Sequence, residues 1–464
     1  MITGASTLDP RFPTWGTMLR QHGYGTYWCG KWHLTRTDHR WTPKTGPAGL
    51  ARYGFDGGTF PPPDGAPGQG WRVDPFIVHQ FERCYHQAGG DGPWCTTVSL
   101  VNPHDIAWWW RWSSSVERTA PPTIDSLPAN FETPAQLAAR GKPRVQLSLQ
   151  ETSALSFGAV PFAGPAANRE WRAFLDLYVK LQMDMDRHVG RVMTTLAQRR
   201  SVMENTIVVF TSDHGEYGGA HGLRGKGAGM YEEAIDVPLI INDNTGRLAL
   251  RRNTSRNQLT SSVDVAPMLL TLASGSNAWR TDSRYAHIAG RPDLLRIASD
   301  PGARGREYVV HATDEVMTEF ALQPYDATAP LHVSGVITPN AKYATYSNWR
   351  ANTLSPLPRG EQAELYDYTS PAGRLEIENV AGRSHKETGL RSTLERTIRD
   401  ELHAPLPANL VDAQRQGLDE YHRLAALEQT VSKIERLRTL RDLAAQAKHH
   451  LPSHHQLSKV RGAG

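Results

Sequence analysis

Thr206-Ile207-Val208-Val209-Phe210 is a nearly unbroken apolar run that stops at Thr211-Ser212-Asp213-His214-Gly215-Glu216. A strand of this composition is typical of a parallel sheet covered on both faces, where neither side needs polar residues. Just before it, Trp171, Phe174, Leu175, Tyr178, Leu181, Met185, Val189 and Val192 recur at helical spacing and predict one long helix over residues 169–200. The order helix, strand, polar cluster recurs outward from this stretch. Pro13 opens a helix that Gly23 ends, and Thr26-Tyr27-Trp28-Cys29 reads as a strand closed by Gly30. Residues 75–88 read as a helix and Trp94 to Val101 as a strand. Val237-Pro238-Leu239-Ile240-Ile241 is a further strand candidate, and residues 262–273 a further helix.

Strands alternating with helices predict an α/β fold, a mostly parallel sheet sandwiched by helices. After residue 300 the texture changes. His332–Thr338 and Lys342–Ser347 alternate and predict an antiparallel hairpin in a smaller C-terminal sheet, and residues 413–447 predict a long amphipathic C-terminal helix. The expected organisation is an α/β core over 1–300, an antiparallel subdomain over 301–390 and a basic helical tail over 391–464. Residues 41–72 and 118–168 are rich in Gly or Pro and read as irregular insertions.

Composition bounds the function classes. With 464 residues, 39% hydrophobic and 21% charged, the chain is neither disordered nor a small disulfide scaffold. There are 51 basic and 47 acidic residues, but residues 413–464 hold nine and five of them, leaving 42 of each in the body. A neutral body is not a nucleic-acid footprint, so no nucleic-acid partner is expected. No window of about 18 apolar residues predicts a membrane span. Three cysteines (Cys29, Cys84, Cys95) form no disulfide framework and fit a reducing compartment. No leader sequence follows Met1, so the chain as written is expected to be cytoplasmic, unless an upstream signal has been lost.

Three polar clusters each follow a strand: Gly30-Lys31-Trp32-His33, Asn102-Pro103-His104-Asp105 and Ser212-Asp213-His214-Gly215-Glu216. Ligands of open α/β sheets bind outside the carboxyl ends of the strands, so the three can converge on one pocket. A fourth cluster, Gly225-Lys226-Gly227, lies on a Gly-rich loop. Asp213 and His214 can ligate a divalent cation; the carboxylate favours Mg or Ca, and the imidazole shifts preference toward Mn or Zn. Lys31 and Lys226 supply fixed positive charge, and His33 and His104 can donate hydrogen bonds or move protons. Together these groups suit a tetrahedral oxyanion whose charge shifts during reaction. Asp105, Trp108 and Trp109, with Trp110 and Trp112 beyond them, are candidates to wall an aromatic or sugar pocket.

Gly23-Tyr24-Gly25-Thr26-Tyr27-Trp28-Cys29-Gly30-Lys31-Trp32-His33 matches the second sulfatase signature, G-[YV]-x-[ST]-x-x-x-G-K-x-H, at every specified position. Ser99 to Asp105 resembles the family's next active-site strand. Thr211 to Val237 is similar to its metal-and-lysine block, and Ser262 to Pro267 and Glu364 to Asp367 to its later structural motifs. The resemblance covers roughly residues 5–385 and implies an alkaline-phosphatase-like fold that hydrolyses sulfate esters, including those of sugars. It implies Asp213 and His214 as ligands of one divalent cation, Ca or Mg with Mn as a further option. It implies Lys31 and His33 as holders of the nucleophile and a substrate oxygen, and His104 and Lys226 as sulfate-binding groups that assist the leaving group. Many sulfatases have Asn where this chain has His214, whereas relatives that cleave phosphonate or phosphate diesters have His, which keeps a phosphonate or phosphate ester hydrolase as an alternative.

Two family features are not found in the 464 residues. The C-x-P-S-R signature, whose Cys or Ser becomes the nucleophilic formylglycine, does not occur, and neither does an Asp-Asp pair that would complete the metal site. Met1-Ile2-Thr3-Gly4 is similar to the tail of that signature. The expectation is therefore a sulfatase core lacking its first strand, N-terminally incomplete, poorly soluble and inactive or nearly so as written. The remaining alternative is a non-catalytic remnant that binds anions or partners. The 413–447 helix is a candidate for homo-oligomer contacts.

Overall fold

The computed structural model describes residues 7–35, 47–59, 63–87, 92–109, 124–227, 229–251, 253–314, 329–330, 332–350, 353, 355–402, 408–419, 423 and 437. The N-terminal half begins with α1 (Trp15–Arg20), β1 (Gly25–Gly30), β2 (Asp56–Gly57), α2 (Gln69–Gln87) and β3 (Trp94–Ser99). Thr14 starts α1 through a capping box with Thr17, satisfying donors that the first turn leaves open. β1 pairs in parallel with β2 on one side and β3 on the other, in register Tyr27 with Asp56 and Tyr27 with Thr96. Gly30 ends β1 at φ +106°, and a Cβ there would lie 1.9 Å from the Ser99 carbonyl oxygen, so only glycine lets the two strand ends approach.

The middle of the chain forms α3 (Pro134–Ala139), α4 (Arg144–Phe157), α5 (Gly164–Ala197), α6 (Arg200–Met203), β4 (Ile207–Thr211), α7 (Glu232–Ile235), β5 (Leu239–Asp243), α8 (Val265–Ser274) and α9 (Leu294–Ser299). Two helical layers enclose the strands. On one face, Ile77, Phe81 and Tyr85 of α2 and Leu196 of α5 bury Cys29 and pack on Val98 and Val208. On the other, Met18 and Leu19 of α1 and Leu270 of α8 pack on Cys95, while Met268 of α8 packs on Val209, Leu239 and Ile241.

The C-terminal sheet runs β6 (Val309–Asp314), β7 (His332–Thr338), β8 (Ala341–Trp349) and β9 (Pro356–Asp367), each antiparallel to the next. α10 (Pro371–Arg374) and α11 (Glu387–Thr397) follow, and Leu394 of α11 packs on Val336, Tyr343 and Leu365.

The α/β class, the parallel sheet between helices and the smaller antiparallel sheet all match the expectation. Three local expectations need correction. First, β4 is not a fully buried parallel strand. It pairs antiparallel with β5, Ile207 opposite Asp243, and none of its residues is fully buried. Second, within 41–72 the described residues form a short helical turn over Pro47–Tyr53, the strand β2 and the start of α2. Third, 118–168 contains two helices. α3 carries strong start signals, a Thr133–Gln136 capping box and Pro134 in its first turn. α4 was illegible to periodicity because its buried side includes Gln146, Ser148, Gln150 and Ser153. Of the 413–447 helix, residues 413–419, 423 and 437 are described and helical; the rest lies outside the described residues, as do Trp110 and Trp112.

Candidate active site

The carboxyl ends of β1, β3 and β4 and the 225–227 loop share one electrostatic environment. His104 feels Lys31, Lys226, His214 and His33, and Asp213 feels His214, Lys31 and Lys226. All six predicted catalytic and metal-ligating side chains are thereby brought together.

Each is positioned by local structure. Lys31 is 8% exposed, and its backbone N–H donates to the Ser99 carbonyl at 2.9 Å, tying the end of β1 to that of β3. His33 follows in the left-handed region at φ +54°, unusual for a non-glycine, and is exposed. The turn carrying His104 is fastened to α2 by two carboxylates. Asp74 accepts the Val101 and Asn102 N–H groups at 2.7 and 3.0 Å. Asp105 accepts those of Gly70 and Trp71 at 3.2 and 3.0 Å. Gly65 lies so close that a Cβ there would sit 2.6 Å from the His104 ring. Burial raises the Asp74 carboxyl to about 7 against these two hydrogen bonds, and raises Asp105 in the same way.

His104 itself is unusual. Both ring nitrogens are buried and have no hydrogen-bond partner among the described residues. Burial first, and then the positive charges of Lys31 and Lys226, lower it to about 2, so the imidazole is neutral at physiological pH. A buried polar ring costs free energy unless something polar meets it.

Asp213 and His214 lie side by side, Asp213 Oδ2 3.4 Å from His214 Nε2. His214 Nδ1 is 2.8 Å from the Gly215 carbonyl oxygen, which can only accept, so this nitrogen carries the proton and Nε2 keeps its lone pair. Burial, then Lys226, lowers His214 and keeps it neutral. Desolvation works against the Asp213 carboxylate, but His214, Lys31 and Lys226 outweigh it and hold its pKa below the ordinary value. A carboxylate beside a neutral imidazole whose other nitrogen is pinned to a carbonyl fits a divalent cation. Two such groups leave most of a hard cation's ligand positions to water or substrate.

The Lys226 loop is clamped from the same segment. Glu216 accepts the Gly225 N–H at 2.7 Å and the Gly218 N–H at 3.3 Å; the Tyr217 N–H donates to the Gly225 carbonyl at 3.0 Å, and its hydroxyl donates to the Gly227 carbonyl. Gly225 and Gly227 flank Lys226 with φ +80° and +81°, a path that side-chain-bearing residues resist. Burial raises Glu216 to about 7.

Three predicted pocket residues are engaged by the scaffold that carries His104. Asp105 is spent on the backbone of α2, as above. Trp108 is 4% exposed and donates its indole N–H to the Gly65 carbonyl at 2.7 Å, and Trp109 is 3% exposed and packs against Phe174. These tryptophans hold the loop in place and do not form an open wall. The positioning groups Asp74 and Tyr217 escaped sequence reasoning, and Glu216 was read as a member of the Asp213-His214 cluster without this clamping role.

A group of three residues whose ligand atoms lie within 4.8 Å of one another among the described residues is different: His221, Glu233 and Glu376. His221 Nδ1 meets Glu132 Oε2 at 2.6 Å and Nε2 meets the Asn130 amide at 3.1 Å. Glu376 accepts the Tyr368 hydroxyl at 2.7 Å and the Glu232 N–H at 3.0 Å, and it pairs with the buried Lys342 ammonium. With Lys342 already supplying the cation, this group is an internal ion network and fits no second one.

The site thus gathers cationic, imidazole and carboxylate side chains at the strand ends of an α/β fold. A family model described as Sulfatase matches residues 3–276, and the chain belongs to the sulfatase family. It is 39% identical over 97 residues to the "Uncharacterized sulfatase YidJ" of Escherichia coli, covering 21% of this chain and 18% of that protein. It is 22% identical over 291 residues to Arylsulfatase K of Canis lupus familiaris, covering 57% and 49%. The chain therefore spans half or less of the length of these curated relatives. Its fold is similar to that of the phosphonate monoester hydrolase SpPMH from Silicibacter pomeroyi, with TM-score 0.61, 17% identity and coverage of 88% and 83%. It is also similar to a protein solved in complex with its substrate D-glucosamine-2-N,6-O-disulfate, with TM-score 0.59, 19% identity and coverage of 86% and 84%.

Proposed function

We propose that the chain carries the anion-binding and leaving-group half of a sulfuric ester hydrolase site, and that its ester is a small-molecule or sugar sulfate. The observation that carries this reading is His104, whose two buried ring nitrogens have no hydrogen-bond partner among the described residues and face a field set by Lys31 and Lys226. An anion with several acceptor oxygens supplies what that ring and those charges lack. Lys31 and His33 hold the attacking side of the sulfate, and His104 and Lys226 meet its oxygens and the leaving group. Neutral His104 has one N–H to donate to an ester oxygen. Asp213 and His214 hold a divalent cation, Ca or Mg, with Mn a further option; when bound, it stabilises charge on the sulfate oxygens. The sulfated-sugar complex of a structural relative supports the substrate class.

Neither C-x-P-S-R, the family's nucleophile signature, nor Asp-Asp occurs in the sequence. Binding is therefore expected without turnover. Calorimetric titration of the purified chain with inorganic sulfate and Mg or Ca tests this. The expected result is saturable binding, weakened about tenfold by His104→Ala, the cost of about one charge-assisted hydrogen bond, with no hydrolysis of 4-nitrophenyl sulfate. Absence of sulfate binding, or robust hydrolysis, would sink the reading. His214 favours one second reading, a phosphonate or phosphate ester hydrolase. Tighter binding of phenyl phosphonate than of sulfate would select it.

A further inference from the structure

All three cysteines are free thiols, and two of them meet. Cys29, near the end of β1, lies on the face that α2 covers. Ile77, Phe81 and Cys84 recur at helical spacing along α2, and Cys84 packs on the cluster in which Cys29 is fully buried. The Cys29 and Cys84 side chains are hydrogen-bonded to each other. Cys95 of β3 belongs to a separate cluster, with Met18 and Leu19 of α1 and Leu270 of α8.

Packing alone does not account for the pair. Cys84 and Cys95 are both half-buried, but their surroundings differ. Burial raises the Cys95 thiol to about 11, as expected of a cysteine that only fills apolar space. The hydrogen bond with Cys29 lowers the Cys84 thiol; burial opposes it and the Arg83 charge assists. The same hydrogen bond, and then burial, raise Cys29. The less buried sulfur therefore ionises first, and the buried one keeps its proton. Cys84 also lines a cleft with Tyr85, Trp94 and Arg199. A partly exposed thiolate beside guanidinium groups is the setting of reactive cysteines, and a second thiol in contact with it can resolve an oxidised form.

We propose that Cys29 and Cys84 are a hydroperoxide-reactive thiol pair, in which Cys84 takes the oxygen and Cys29 resolves it as a disulfide between β1 and α2. First, the Cys84 thiolate attacks a peroxide oxygen. An S–O bond forms, the O–O bond breaks, and the departing alkoxide or hydroxide takes up a proton. The sulfur is oxidised to sulfenic acid, and the peroxide is reduced to an alcohol or water. Next, the Cys29 sulfur attacks the Cys84 sulfur. An S–S bond forms, the S–O bond breaks, and the hydroxyl leaves as water with the Cys29 proton. Sulfurs already in contact have only a short way to travel to the bonded distance of about 2.05 Å. The bond joins two elements that serve the strand-end cluster. Cys29 stands two residues before Lys31, and α2 carries Asp74, which fastens the Val101 and Asn102 N–H groups ahead of His104. The reaction does not depend on what that cluster binds.

Thiol counting on the full, pre-reduced chain tests the proposal. After a small excess of hydrogen peroxide and then unfolding, the count should fall from three to one per chain and return to three with dithiothreitol. A non-reduced digest should contain Cys29 joined to Cys84. Dimedone added with the peroxide should mark Cys84 at least about tenfold faster than Cys95. Cys29→Ala should still take the mark on Cys84 and form no disulfide, and Cys95→Ser should leave the disulfide unchanged. Cys84→Ser, at the half-buried position, should likewise form no disulfide and so checks the pair without disturbing the fully buried site. Three thiols surviving the peroxide would overturn the proposal. So would marking of Cys95 as fast as Cys84, or a disulfide that includes Cys95 or joins two chains.

Discussion

Two charged regions of this molecule draw on the 213–234 segment and obey opposite rules. In one, Lys31, Lys226, His33, His104 and His214 gather around Asp213, with Asp74 near Lys31 and Glu216 near Lys226. In the other, His221, Lys142 and Lys342 are buried against Glu132, Glu364 and Glu376. There every charge has a counter-charge, and tyrosines fill the remaining valences. Tyr366 donates to Glu364 at 2.6 Å, the Lys142 ammonium lies 2.6 Å from the Tyr366 hydroxyl, and His221 stacks on Tyr231 with ring centroids 3.6 Å apart. The difference teaches what each is for. A buried network closed on itself holds elements together; a cluster with excess positive charge is completed by something that arrives.

The largest effect should come from opening the closed network. Lys342→Met leaves Glu376 buried without its ammonium and should cost about 3–5 kcal/mol, read from the urea midpoint, whereas Lys342→Met with Glu376→Gln should recover much of it. If the single substitution is silent, the network is not the staple described. A smaller effect should separate the clusters by pH. The His104 pKa is lowered to about 2, so below pH 6.5 the unfolded chain takes up a proton that the folded chain refuses, and stability falls as pH falls. The stability difference between the chain and His104→Gln should therefore shift by about 2 kcal/mol against the histidine between pH 7 and pH 5. A constant difference would mean that His104 is neither dry nor surrounded by positive charge. The smallest effect on folding should be that of Lys226→Ala, an exposed residue. The midpoint should move by no more than about 0.5 kcal/mol, while sulfate affinity drops severalfold. A large loss of stability with no change in affinity would reverse the roles assigned to the two regions.

Much of the active-site layout was legible in the sequence because each cluster sits directly after a strand, where the α/β layout exposes it. The Gly-rich path around Lys226 follows from local composition, whereas the left-handed turn at His33 was not legible. The bonds of Asp105 were not legible because its partners, Gly70 and Trp71, are 35 and 34 positions away. Trp108 and Trp109 were misread because aromatic residues next to a polar cluster look the same whether they face a ligand or the core. The closed network was invisible: Glu132, Lys142, His221, Lys342 and Glu376 belong to separate segments, each an ordinary polar residue in isolation. The half-covered state of β4 was invisible for the same reason, since composition records what a strand can pair with and not whether the pairing exists.

The contacts of Lys342 and Glu376 have one more consequence. Both residues lie in the C-terminal portion, yet Lys342 donates to the Met230 carbonyl and Glu376 accepts from the Glu232 backbone. Met230 and Glu232 are only four and six positions beyond Lys226. The antiparallel sheet is in this sense the anvil against which the lysine loop is set. A lesion far out on β8 would be felt at the strand ends as slack, and a shortened version of the chain made by trimming that sheet would lose the tension of the loop along with the residues removed.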